Sequence, residues 1–297
     1  MRSFVDRLAS GEILVADGAT GTNLQKLGLP SGVHPEDWVL DEPGKILMLE
    51  EAFVDAGSDI ILTCTFGATR TRLRGAAHAA DVIEINKTAA DLARRAASTR
   101  PGAMVGGSIG PLGQLLKPYG PLTVDQATAA YSEQARALAE GGVDLLVIET
   151  QYALGEVDAV MAAVKAVTDL PVVISFSYDR GTRTMMGVRA SDVAGRYANG
   201  TVSMIGANCG TTLENLLKIL GEYGVAAPGF PLWAKPNAGL PRLEQGQTVY
   251  EVLPAEMAEF ARRAVQLGAR VVGGCCGSTP EHIAAIAEAI KSSESSR

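Results

Sequence analysis

The chain has 297 residues, 47% of them hydrophobic and 20% charged, with a formal net charge of −7. This is ordinary globular composition. The acidic balance, with no cluster of five or more lysines and arginines, speaks against nucleic acid and anionic membrane as partners. The first ten residues hold no apolar core of a secretory leader, and the longest apolar runs are strand-sized, so a cytoplasmic protein without membrane spans is expected.

In chain order, eight short apolar runs recur at 13–16, 59–63, 103–108, 144–149, 171–177, 203–208, 231–235 and 269–274. They are nearly continuous rather than alternating, as strands buried on both faces of a parallel sheet should be. Between them lie stretches with helical spacing, at 45–56, 80–98, 123–140, 155–167, 190–198, 213–223 and 254–267. The third ends at Gly141-Gly142, a helix stop, and a last helix starts after Thr279 with Pro280 at its first position. Eight such units, at about 37 residues each, have the size of an α/β (β/α)8 TIM barrel. A doubly wound open sheet is the competing arrangement; the even spacing favours closure. No linker divides the chain, so a single domain is expected over 1–291, with 292–297 as a frayed tail.

In such a barrel the chemistry lies at the C-terminal strand ends. Cys209 closes the sixth run, and the adjacent Cys275 and Cys276 close the eighth. Alternate strands feed one side-chain layer, so these thiols can converge on one point at the mouth. Three thiolates make a soft site suited to Zn(II), with a fourth position left open for a substrate thiol. Held as thiolate, that thiol is a nucleophile for methyl transfer. Successive strand residues face opposite ways, so joint ligation by Cys275 and Cys276 requires departure from β geometry, for which Gly273, Gly274 and Gly277 give freedom. Two other readings stand beside this one: small core cysteines, or a vicinal disulfide.

The stretches Asp17-Gly18-Ala19-Thr20-Gly21-Thr22, 65–73 (Thr-Phe-Gly-Ala-Thr-Arg-Thr-Arg-Leu), 107–111, Glu149-Thr150, Asn208-Cys209, 236–239 and Gly273-Gly274-Cys275-Cys276-Gly277 with Thr279-Pro280 cover essentially the whole chain in order. On these the sequence resembles the homocysteine S-methyltransferase family, and its cysteine and Pro-Asn-Ala-Gly motifs look most like the N-terminal barrel of cobalamin-dependent methionine synthase. The resemblance implies zinc on Cys209, Cys275 and Cys276, homocysteine as acceptor and methionine as product, with Asp17 and Glu149 holding the substrate amino group. It also implies a donor, methylcobalamin on a separate corrinoid protein. S-methylmethionine, S-adenosylmethionine or betaine as donor, and another thiol as acceptor, are the alternatives.

Further roles follow from position. The backbone N–H groups of Gly18, Ala19 and Thr20 form either a nest for the substrate carboxylate or a plain tight turn. Asn208 is placed to orient a ligand, and Asn237 to approach the metal, unless it serves only its turn. Cys64 departs from the family's usual asparagine. It is read as pocket wall, or as a fourth thiolate that would close the site and turn the chain into a non-catalytic zinc-bearing partner module. None of the histidines His34, His78 and His282 falls at a strand end, and His282 is read as a surface residue. Trp38, Trp233 and Tyr119 are read as packing or rim residues.

Overall fold

The computed structural model describes residues 2–244 and 247–294. Its eight barrel strands are β1 (Leu14–Val15), β2 (Ile60–Leu62), β3 (Met104–Ile109), β4 (Leu145–Gln151), β5 (Val172–Phe176), β6 (Met204–Cys209), β7 (Leu232–Pro236) and β8 (Ala269–Val272). All pair in parallel, in the order β1-β8-β7-β6-β5-β4-β3-β2. A parallel bridge between Ala16 and Ile60 joins the two ends of that row. There the Asp17 N–H donates to Ile60 O at 3.0 Å and the Asp59 N–H to Val15 O at 2.7 Å. The sheet is therefore a closed (β/α)8 barrel.

Its outer helices are α1 (Pro43–Asp55), α2 (Val82–Ala97), α3 (Val124–Glu140), α4 (Leu154–Val167), α5 (Ala190–Tyr197), α6 (Leu213–Ala226), α7 (Pro254–Gln266) and α8 (Pro280–Glu294). Their starts are written in the sequence. Thr123 and Gln126 cap α3 reciprocally, and proline opens α1, α7 and α8 where a missing N–H costs nothing. α8 runs to Glu294, three residues into the stretch expected to fray; 295–297 lie outside the described residues.

Three features are new. A helix at Phe4–Ala9 puts Phe4 among the residues that fill the barrel, with Leu62, Met104, Val173 and Trp233. Its Arg7 donates to Glu12 and to Gly102 O, and lies 3.4 Å from Asp59. Short helices at Gly21–Lys26 and Trp38–Asp41 elaborate the β1–α1 connection. A hairpin, Arg242–Glu244 with Gln247–Val249, rises from the β7–α7 connection. Among the described residues no helix is long and apolar enough to cross a membrane.

Candidate metal centre

The C-terminal mouth of the barrel holds a cavity of about 450 Å³. Its wall combines the 18–22 turn, Ser108, Glu149, Lys235 and all four cysteines, with Phe66, Arg72 and His34 also lining it.

The Sγ atoms of Cys209, Cys275 and Cys276 lie within 4.8 Å of one another, and those of Cys209 and Cys275 are 2.6 Å apart. All four cysteines of the chain are free thiols, so the vicinal disulfide is not formed. Cys209 reaches the cluster because it leaves β6 in the left-handed region, at φ 56°. A side chain rarely sits there without a local reason. The glycines before the Cys pair act differently from expectation. Gly273 and Gly274 do not have positive φ; they are small because space is short. A Cβ on Gly274 would lie 2.3 Å from Ser278 Oγ.

Three thiols this close cannot all ionise unaided. Hydrogen bonds from Cys209 and Cys275 pull the Cys276 thiol down, while the same contacts push Cys209 up. A dication removes that conflict, and three soft sulfurs with a fourth side open suit zinc. Cys64 is not in the cluster. It is buried with its Sγ 3.6 Å from Pro35 O, and burial pushes its thiol well up. It lines the cavity, as the pocket-wall reading holds.

Asn208 is fully buried and ties the site together. Its Oδ1 accepts from the Thr150 N–H at 2.9 Å and from Ser175 Oγ at 2.6 Å. Its Nδ2 donates to Thr150 Oγ1 at 2.7 Å and towards Cys275 Sγ at 3.8 Å. It thus reaches a sulfur two strands away rather than its neighbour Cys209. Thr150 is itself held at φ 60°.

Glu149 lines the cavity at 8% exposure and accepts from Ser108 Oγ at 2.5 Å. Burial pushes its carboxyl up to about 7, against the pull of Lys235. Asp17 is engaged on both oxygens: Lys235 Nζ lies 2.5 Å from Oδ1, and the Leu62 N–H donates to Oδ2 at 2.8 Å. Lys235 is the residue that sequence reasoning missed. The available signal was a lysine inside an otherwise apolar strand of a parallel sheet, a place that requires a buried anion.

The Ala19 N–H donates to Ser278 O at 3.3 Å, so it is already engaged, while Gly18, Ala19 and Thr20 all line the cavity. Asn237 donates to Gly210 O at 3.2 Å, and its Oδ1 is buried without a partner among the described residues. His282 corrects the surface reading: it is 8% exposed, with Nε2 2.9 Å from Val252 O. Trp38 and Trp233 are buried, and Tyr119 is exposed.

The homocysteine S-methyltransferase family model matches residues 14–290. The chain belongs to that family, and so to the methyltransferase enzymes. It is 30% identical over 294 residues to a methionine synthase of Mycobacterium leprae, covering 94% of this chain and 24% of that protein. The chain therefore spans about a quarter of that relative's length. It is also similar to the homocysteine methyltransferase MmuM of Escherichia coli in its metallated form, at 25% identity and a TM-score of 0.80, covering 95% of this chain and 97% of that one. A methyltransferase from Methanosarcina mazei shares the fold, at 13% identity and a TM-score of 0.61, over 95% of this chain and 94% of that one.

Proposed function

We propose that this enzyme moves a methyl group onto the thiol of L-homocysteine to give methionine, with zinc held by Cys209, Cys275 and Cys276. The observation that carries the reading is the three-sulfur cluster opening onto the same cavity as Glu149. Bound zinc would supply a positive charge that keeps the acceptor thiol as thiolate at neutral pH. Glu149 accepts the substrate ammonium. Gly18 and Thr20 offer N–H donors to its carboxylate, with Ala19 shaping the turn. Asp17, with both oxygens engaged, anchors Lys235 from behind the cavity wall and so reaches the ammonium only through that pair. Asn208 steadies Cys275. The unpartnered Oδ1 of Asn237 is a candidate to occupy the metal's open side before the thiol arrives.

The donor is methylcobalamin on a separate corrinoid protein. Support comes from the likeness to methionine synthase, of which this chain matches about a quarter. A second reading, a small donor such as S-methylmethionine, draws on the 97% coverage of a homocysteine methyltransferase of similar length. The enzyme is read as cytoplasmic, without nucleic-acid or membrane partners. The non-catalytic zinc module loses its support, because its fourth sulfur, Cys64, lies outside the cluster. The test is methionine formation from homocysteine with a methylated corrinoid protein or with S-methylmethionine. Product from only the second overturns the corrinoid donor; product from neither, nor from S-adenosylmethionine or betaine, with zinc present, overturns homocysteine as acceptor.

A further inference from the structure

The even-numbered strands divide the cavity among them. β6 and the turn after β8 bring the three clustered cysteines, and Glu149 lies near the end of β4. The connection after β2 brings Arg72, which lines the same cavity. Around the closed ring, β2 stands opposite β6 and β4 opposite β8. An acceptor with its thiol between β6 and β8 and its ammonium at β4 leaves its carboxylate to the sector of β1 and β2.

Arg72 is half-buried, and its guanidinium carbon lies over the Phe66 ring, 5.4 Å from the centroid. Two glycines shape its seat. A Cβ on Gly113 would fall 2.8 Å from Nη1, and one on Gly67 would fall 3.3 Å from Nε. A confined guanidinium gives up less freedom on meeting a ligand. Yet among the described residues the guanidinium makes no hydrogen bond and no salt bridge; the hydrogen bond that Arg72 does donate runs from its backbone N–H to Thr69 Oγ1, at 3.3 Å. Two buried acids, Glu36 and Glu156, feel its charge, but neither comes within salt-bridge distance. Glu36 accepts from the Gly67 N–H at 2.5 Å. Glu156 accepts from the Leu112 N–H at 2.7 Å and the Tyr131 hydroxyl at 2.8 Å. A partly buried cation with its donors unused calls for an anion. On the β1 side, the Ala19 N–H already serves Ser278 O, so the 18–20 turn has one donor fewer to give.

We propose that Arg72 binds the carboxylate of an amino acid held in this cavity, gripping it with two parallel N–H donors. The claim rests on the homocysteine reading above and adds a charged group to the backbone donors of Gly18 and Thr20. Two amino acids can bring that carboxylate: the acceptor itself, and a sulfonium donor of the S-methylmethionine kind.

Binding calorimetry on zinc-loaded protein tests this without turnover. The acceptor probes are L-homocysteine and 3-aminopropane-1-thiol, the same aminothiol without its carboxylate. The donor probes are S-methylmethionine and its carboxylate-free analogue, (3-aminopropyl)dimethylsulfonium. Arg72→Met, which keeps an apolar stem over Phe66, should weaken L-homocysteine roughly tenfold or more and leave the aminothiol unchanged. Arg72→Lys, which keeps the charge without the fork, should fall between wild type and Arg72→Met. A loss confined to S-methylmethionine also supports the proposal and assigns the carboxylate to the donor. Unchanged affinity for both amino acids overturns the proposal while leaving the acceptor reading intact. An equal loss for each amino acid and its carboxylate-free analogue also overturns it, because Arg72 would then only shape the cavity. Wild type that retains zinc but binds neither amino acid overturns the reading of the site itself.

Discussion

Lys235 Nζ lies 2.5 Å from Asp17 Oδ1, in a pair of side chains only 2% and 3% exposed. β1 and β7 are separated by β8 alone, so the pair spans neighbouring positions of one interior layer. Removing one partner strands the other's charge in a nearly dry place. Lys235→Met should therefore cost about 3–5 kcal/mol of unfolding free energy, measured by urea denaturation. Adding Asp17→Asn should recover part of it, since asparagine retains an acceptor for the Leu62 N–H. Simple additivity of the two losses would contradict a coupled pair.

Glu149 gives the site a pH response. Its carboxyl is raised to about 7, chiefly by burial, so below that pH it carries a proton and offers no charge to an ammonium. Preference for L-homocysteine over 4-mercaptobutyrate, which lacks the amino group, should rise with pH up to about 7 and then level off. Comparing the two thiols cancels the pH dependence of thiol ionisation itself. Glu149→Gln should flatten the curve, as read by calorimetry; an identical curve would remove Glu149 from ammonium binding.

Glu50 on α1 has both carboxyl oxygens buried with no partner among the described residues, and burial raises its pKa well above 4.5. The folded state holds a proton that the unfolded chain releases, so Glu50 costs stability as pH rises above 4.5. Glu50→Gln should raise the Tm at pH 8, by about 2–4 °C for each kcal/mol relieved, and leave it nearly unchanged at pH 4. Equal shifts at both pH values would show that ionisation is not the cause.

Asn208 links Thr150 on β4 to Cys275 after β8. Loss of its amide should loosen the sulfur it supports. We expect Asn208→Ala to weaken zinc binding about 10–100-fold in chelator competition, the usual cost of losing a ligand's support. Unchanged affinity would reduce Asn208 to packing.

The barrel and the cysteine cluster were both legible in the sequence, because each rests on local signals. Continuous apolar runs mark two-sided burial, and cysteines at the sixth and eighth strand ends meet wherever the barrel closes. The Lys235–Asp17 pair was hidden because its partners lie 218 residues apart, and nothing local says which buried acid a strand lysine will find. The partner of the Ala19 N–H was hidden for a similar reason: it is Ser278 O, at the far end of the chain. The hairpin after β7 was missed because strands of three residues carry too little pattern to read.

The most direct test of the central claim is X-ray absorption at the zinc edge, before and after selenohomocysteine is added to wild type and to Cys209→Ala. One zinc per wild-type chain with three sulfur neighbours, gaining a selenium neighbour on addition, is the predicted result, with zinc lost or weakened in the variant. A four-sulfur shell that ignores the ligand, or no zinc at all, would contradict the account.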